Sequence, residues 1–133
     1  MSNETNETVR TRVAREETLY RRSWLPEKKF LNPDGTAHSR VFKLREKDNG
    51  ELSVDVKSMT SPERAVIDKA SFFLFEVPNS AVLDIEHNTL TTYHSPLPEG
   101  RNDAHAVIVG MEISDEITPG LLARLSRKVY FEQ

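Results

Sequence analysis

The apolar residues of this chain fall into runs long enough for strands and brief helices only, and turn-forming residues separate one run from the next. "ELSVDV" at 51–56, "SFFLFEV" at 71–77 and "AHAVIVG" at 104–110 are the clearest. In the first, Leu52, Val54 and Val56 alternate with Ser53, Asp55 and Lys57, the period of a strand with one buried face. The second is rich in aromatic residues, which suit a pleated surface better than a short helix. The third is continuously apolar between polar loops, so the segment "AHAVIVGMEI" is expected to be a central strand buried on both faces.

Turn and cap signals fill the spaces between. A Pro-Asp-Gly turn lies in "NPDGTAHS" at 32–39, and Asn49-Gly50 is a strong hairpin signal, so "RVFKL" at 40–44 is expected to pair with 51–56. Thr60 or Ser61 caps a helix over roughly 61–70 that buries Ala65, Val66 and Ala70, with Pro62 early and Glu63 completing a capping box if Thr60 is the cap. One more helical turn is expected from Pro78, and a strand in "NTLTTYHS". Near the C-terminus Thr118 caps, Pro119 takes the first helical position, and Leu121, Leu122 and Leu125 form an apolar stripe, after which "KVYFEQ" adds an edge strand. "VRTRVAREETLYRR" fits a short helix or a tail leading into an extended segment around Leu19 to Trp24, ended by Pro26. Residues 1–8 are polar and aperiodic and read as a flexible N-terminal tail. Residues 9–133 are then a single α+β domain, with a mainly antiparallel or mixed sheet and two or three short helices.

Composition narrows the chemistry. A length of 133 residues can bury a core without staples. The absence of cysteine removes disulfides, thiolate nucleophiles and cysteine-rich metal sites together. No apolar run reaches the length of a bilayer span and the first residues lack the pattern of a signal peptide, which leads to the expectation of a cytoplasmic protein with no membrane partner. The net charge of −3 conceals a polarity: residues 1–47 hold eleven Lys/Arg against seven Asp/Glu, and residues 48–133 hold seven against fourteen. Such halves can pair with each other or dock on a partner or a second copy.

Candidate sites follow from residue types. His105 sits where the loop "PLPEGRND" meets the strand, either pinning that loop or acting as an acid or base, with Asp103 to orient it. Ser53 lies on the outward face of "ELSVDV", without the G-x-S-x-G elbow of a hydrolase. Arg21, Arg22 and Trp24 in "YRRSWLPEKK" combine guanidinium forks with an aromatic ring, a set suited to phosphate contact and stacking. The acidic chain is unlike a nucleic-acid binder, so that partner is not expected. His87, His94 and His105 cluster in sequence but match no metal-ligand spacing, and neither a metal nor a cofactor is expected.

"LYRRSW", "DGTAHSRVFKLREKDNGELSVDVKSMTSPE" and "SPLPEGRNDAHAVIVG" together resemble a class of short bacterial proteins with a tyrosine-arginine start, an LSVD-like strand and a PLP…HA segment. The resemblance implies a bacterial single-domain protein and carries no activity. A weaker similarity is to ADP-ribosyltransferase-like or RES-type domains. It implies that Arg21 or Arg22 meets dinucleotide phosphates, that Ser53 sits on the second strand and that Glu63 is the acidic partner, although no glycine-rich tract follows the arginines. Two functional expectations result. The first is a non-enzymatic interaction or accessory protein of a bacterial system that docks on a protein partner. The second is a small enzyme or binder of a nucleotide-like ligand, using Arg22, Ser53, Asp103 and His105, and it requires those four side chains to converge.

Overall fold

A computed structural model describes residues 10–25 and 29–131. The tail expected over 1–8 lies outside the described residues, as do Pro26 and the last two positions of "KVYFEQ". Six strands make one antiparallel sheet: β1 (Thr18–Trp24), β2 (Glu51–Val56), β3 (Phe72–Pro78), β4 (Thr91–His94), β5 (His105–Val109) and β6 (Arg127–Lys128). Their spatial order is β4-β5-β2-β1-β3-β6. With α1 (Pro62–Val66), α2 (Asn79–Leu83) and α3 (Ile117–Leu125) they form the small α+β domain that the pattern predicts.

The alternation in "ELSVDV" decides which side is which. Leu52, Val54 and Val56 join Leu19, Phe75, Val77, Ala106 and Ile108 in the main core, covered by Leu122 and Ala123 of α3 and by Val41 and Phe42. On the opposite face Tyr20 and Leu74 pack beneath Ala65 and Val66 of α1. That helix is only five residues long, so it covers one part of this second face and leaves the part around Ser53 exposed.

Three local expectations in the first half of the chain are corrected. "RVFKL" is not a strand: Ser39–Phe42 form a 3-10 turn that inserts Val41 and Phe42 into the core. Strand β2 pairs instead with β5 over Glu51–Asp55, and "RVFKL" meets the sheet through the Val41 carbonyl, which accepts from Arg21 Nε. Asn49 and Gly50 do turn the chain with positive φ (54° and 79°), but they join a 3-10 turn at Glu46–Asp48 to β2. The helix expected to 70 stops at Val66, because Ile67 takes a φ of 68° and Asp68 accepts from the Ala70 amide and the Ser71 hydroxyl, so Ala70 is exposed. Its cap is Ser61, which accepts from the Arg64 amide.

In α3 the capping side chain is Asp115, not Thr118. Its Oδ1 accepts from the amides of Ile117 (2.9 Å) and Thr118 (3.0 Å), and the Thr118 hydroxyl donates to Oδ2 at 2.6 Å. The helix therefore starts earlier than expected and turns Thr118, Pro119, Leu122 and Ala123 inward, leaving Leu125 41% exposed. Strand β5 stops before Gly110, where φ is 117° and a Cβ would strike the Thr89 carbonyl oxygen.

Residues 10–17 form no helix and run beside β4. The Val13 amide donates to Thr92 O, and the His94 amide to Thr11 O. Asn79, fully buried, holds this segment from the other side: its Nδ2 donates to the carbonyls of Val13 and Ala14, and its Oδ1 accepts from Thr92 Oγ1 at 2.6 Å. No described helix is long and apolar enough to cross a membrane.

Candidate functional site

The sheet opens in its middle. Strand β1 pairs with β3 over seven positions and β2 with β5 over five, yet β1 and β2 share only the Leu19–Val56 and Tyr20–Asp55 pairs. Beyond Tyr20 the two strands part, and backbone groups that would have met across a ladder need other partners. Arg21 supplies them: its Nε donates to Val41 O at 2.7 Å and its Nη1 to Ser53 O at 2.8 Å. Burial brings the Arg21 guanidinium down to about 10, against the pull of Asp48 and with a further push from Arg45 and Arg22. It stays charged near neutrality, as a fixed cation under the opening. Expected as a ligand contact, Arg21 lines the base of the site but spends these donors on the protein.

Above the opening lies a pocket of about 610 Å³. Arg22, Trp24, Ser53, Asp103 and His105 all line it, so three segments distant in sequence bring these residues to one concavity. Tyr20, Asp55, Met59, Thr60, Ile67 and Phe72 contribute further wall, and Ile67 is 65% exposed in its left-handed conformation. Backbone strain of this kind at a β-branched residue clusters at ligand sites. Five arginines and three aspartates line the pocket, in a chain whose overall charge is negative. Two of the aspartates are engaged, Asp48 with the Arg45 amide (2.7 Å) and Asp55 with Asn102 Nδ2 (2.9 Å). Arg64 and Arg101 have side chains with no ion pair among the described residues.

His105 makes the loop contact expected of it, and its second ring nitrogen meets Ser53. Its Nδ1 lies 2.7 Å from Ser95 O, a carbonyl that can only accept, so Nδ1 carries the proton and pins the start of the loop. In the neutral ring Nε2 is then the accepting nitrogen, and it lies 3.2 Å from Ser53 Oγ. The β2–β5 register creates this meeting: His105 stands opposite Asp55 and Val107 opposite Ser53, which puts all four side chains on the second face. Orientation of the ring, expected of Asp103, falls to the Ser95 carbonyl. The Asp103 carbonyl instead accepts from His94 Nε2 at 2.7 Å.

The loop between β4 and β5 is held in several places. Leu97 and Asn102 form a bridge, Asn102 Oδ1 accepts from the Ala104 amide, and Asn102 Nδ2 reaches Asp55. Loop residues Leu97, Arg101 and Asn102 thereby become one wall. Glu63, expected as an acidic partner, is exposed in the first turn of α1 and does not line the pocket. Arg22 donates through Nη1 to Ala65 O at 3.0 Å and lies 5.3 Å over the Phe72 ring, while Arg45 lies 4.7 Å over the Trp24 ring. Arg45, Arg64 and Arg101 were not foreseeable, since nothing in the sequence separates them from other solvated cations. Asn102 was signalled only by its place in the loop before His105.

The histidines do not gather. His94 pairs in register with Ala106 and so faces the main core side, opposite to His105, and His87 lies 3.7 Å from Asp115 at the start of α3. Among the described residues no group of three or more His, Asp or Glu is placed to hold a metal ion. No family model matches the chain, and no curated protein or solved structure matches it significantly, so its function has to be argued from this pocket alone.

Proposed function

We propose that the protein binds a small nucleotide-like ligand in the pocket between β1 and β2. The observation that carries this reading is convergence: Arg22, Ser53, Asp103 and His105 line one concavity together with arginines and aromatic residues. Guanidinium groups recognise phosphate through paired N–H donors, and Trp24, Met59, Ile67 and Phe72 offer apolar surface for a base. The fixed Arg21 cation below adds positive potential that no ligand-induced rearrangement has to create. A bacterial setting is the one favoured by the sequence resemblance.

Titration with ADP, NAD and adenosine by calorimetry tests the proposal. ADP or NAD binds at one saturable site below about 1 mM, adenosine binds at least about tenfold more weakly, and Arg101→Ala weakens the phosphate ligands about tenfold, the worth of one charge-assisted contact. Absence of binding by both ADP and NAD at that concentration sinks the reading.

Docking on a protein partner is the second reading, and it has one observation in its favour. Ile113, Ile117 and Leu125 are exposed apolar side chains in and just before α3. Its original motive, the polarity of charge, is weakened by ion pairs inside the molecule: Arg10–Glu51, Arg15–Asp84 and Lys43–Glu116 each join the basic half to the acidic half.

A further inference from the structure

We propose that Ser53 is a nucleophile toward phosphorus and that His105 is its general base, which rests on the ligand reading above and adds a reaction to it. Three features of the geometry carry the inference. Ser53 Oγ stands exposed on the open face, 3.2 Å from His105 Nε2. The Ser95 carbonyl, 2.7 Å from Nδ1, holds the neutral ring in the tautomer that leaves Nε2 free to accept the serine proton. A nucleophile touching a base that a third group orients is the arrangement that activates a hydroxyl, and it does not depend on a carboxylate as the third member. The backbone under Ser53 is fixed as well, because its carbonyl accepts from the buried Arg21 guanidinium at 2.8 Å.

The substrate class is a phosphoric anhydride or an equally activated phosphorus compound. Ser53 Oγ attacks phosphorus, the Oγ–H proton passes to His105 Nε2, and the bond from phosphorus to its leaving oxygen breaks with the electron pair on that oxygen. The imidazolium then returns its proton to the leaving oxygen. Water, deprotonated by the same Nε2, attacks phosphorus in turn; the bond from phosphorus to Ser53 Oγ breaks with its electron pair on Oγ, and the imidazolium returns the proton to Oγ, so each turnover consumes one water and leaves the pair unchanged. Arg64 and Arg101, lining the same pocket, stand for the charge on the phosphoryl oxygens.

A small alkyl fluorophosphonate tests the nucleophile without requiring a nucleotide to be recognised, since fluoride replaces the leaving oxygen. The expected result is a single adduct, located on Ser53 by peptide mass spectrometry, absent from Ser53→Ala. His105→Asn keeps an amide donor near the place of Nδ1 but has no base, and it lowers the labelling rate at least about 100-fold. Its thermal melt is recorded beside the wild type, so that a fallen rate in a folded protein is attributed to the base. A wild-type protein left unlabelled, or labelled equally in Ser53→Ala, overturns the proposal. ADP titration of Ser53→Ala separates this failure from that of the ligand reading: retained binding with no labelling leaves the pocket a nucleotide site whose serine is inert.

Discussion

Ser53 and His105 are 52 positions apart in the chain and adjacent in space only through the register of β2 on β5. Each was visible in the sequence as a residue type: a serine on the polar face of an alternating strand, a histidine at the mouth of an apolar run. Their meeting was not, because a slip of one position in that register would move His105 to the other face. Arg21 shows the opposite case. Its neighbour Arg22 looks identical in "YRRSW", and strand parity separates them, burying Arg21 at the base of the pocket with its donors spent on the backbone and placing Arg22 on the wall. Replacing Arg21 by Leu leaves the carbonyls of Val41 and Ser53 without donors, at a cost of about 2–4 kcal/mol read from urea denaturation. The same variant loses fluorophosphonate labelling, because the strand carrying Ser53 is no longer tied at the opening.

At the level of elements, the strands with strong patterns stood where expected, and the misjudged pieces were those whose conformation depends on a neighbour. "RVFKL" has the alternation of a strand but its first residues close a 3-10 turn, so Val41, Phe42 and Leu44 are buried without joining the sheet. The start of α3 was misplaced because Asp115 and Thr118 are both good caps, and only the structure shows the aspartate accepting from the threonine. Burial pushes the Asp115 carboxyl up, but hydrogen bonds from the Thr118 side chain and the Thr118 and Ile117 amides, with the His87 charge, bring it below its ordinary value. The folded state therefore binds this proton less readily than the unfolded chain does. The stability contributed by Asp115 is complete above the ordinary carboxylate range near about 4 and is lost as the pH falls through its lower folded value. Asp115→Asn should cost about 1–2 kcal/mol at neutral pH, as for a lost cap, and flatten the acid limb of a melting-temperature profile.

Over the whole molecule, the polarity of charge read from the sequence was real, but its use could not be inferred from counts. Surface ion pairs such as Arg10–Glu51, Arg15–Asp84 and Lys43–Glu116 join the two halves, and pairs this open to solvent orient the halves more than they stabilise them. The pocket, by contrast, collects arginines from both halves, Arg22 and Arg45 from the first and Arg64 and Arg101 from the second. The outer strands of the sheet have a separate consequence. Strand β6 is two residues long, both basic, and β4 is screened by the segment around Arg12 and Val13, which takes its outward hydrogen bonds. A long bare flank would act as a template on which further chains assemble into ribbons, and here β6 on β3 and the Arg12–Val13 segment on β4 shorten what is bare. Deleting residues 1–13 uncovers β4, and light scattering at rising concentration should then report association that the intact chain does not show. The short stretch around Arg12 and Val13 thus does for β4 what a further strand would do, taking up the hydrogen bonds that another chain could otherwise claim.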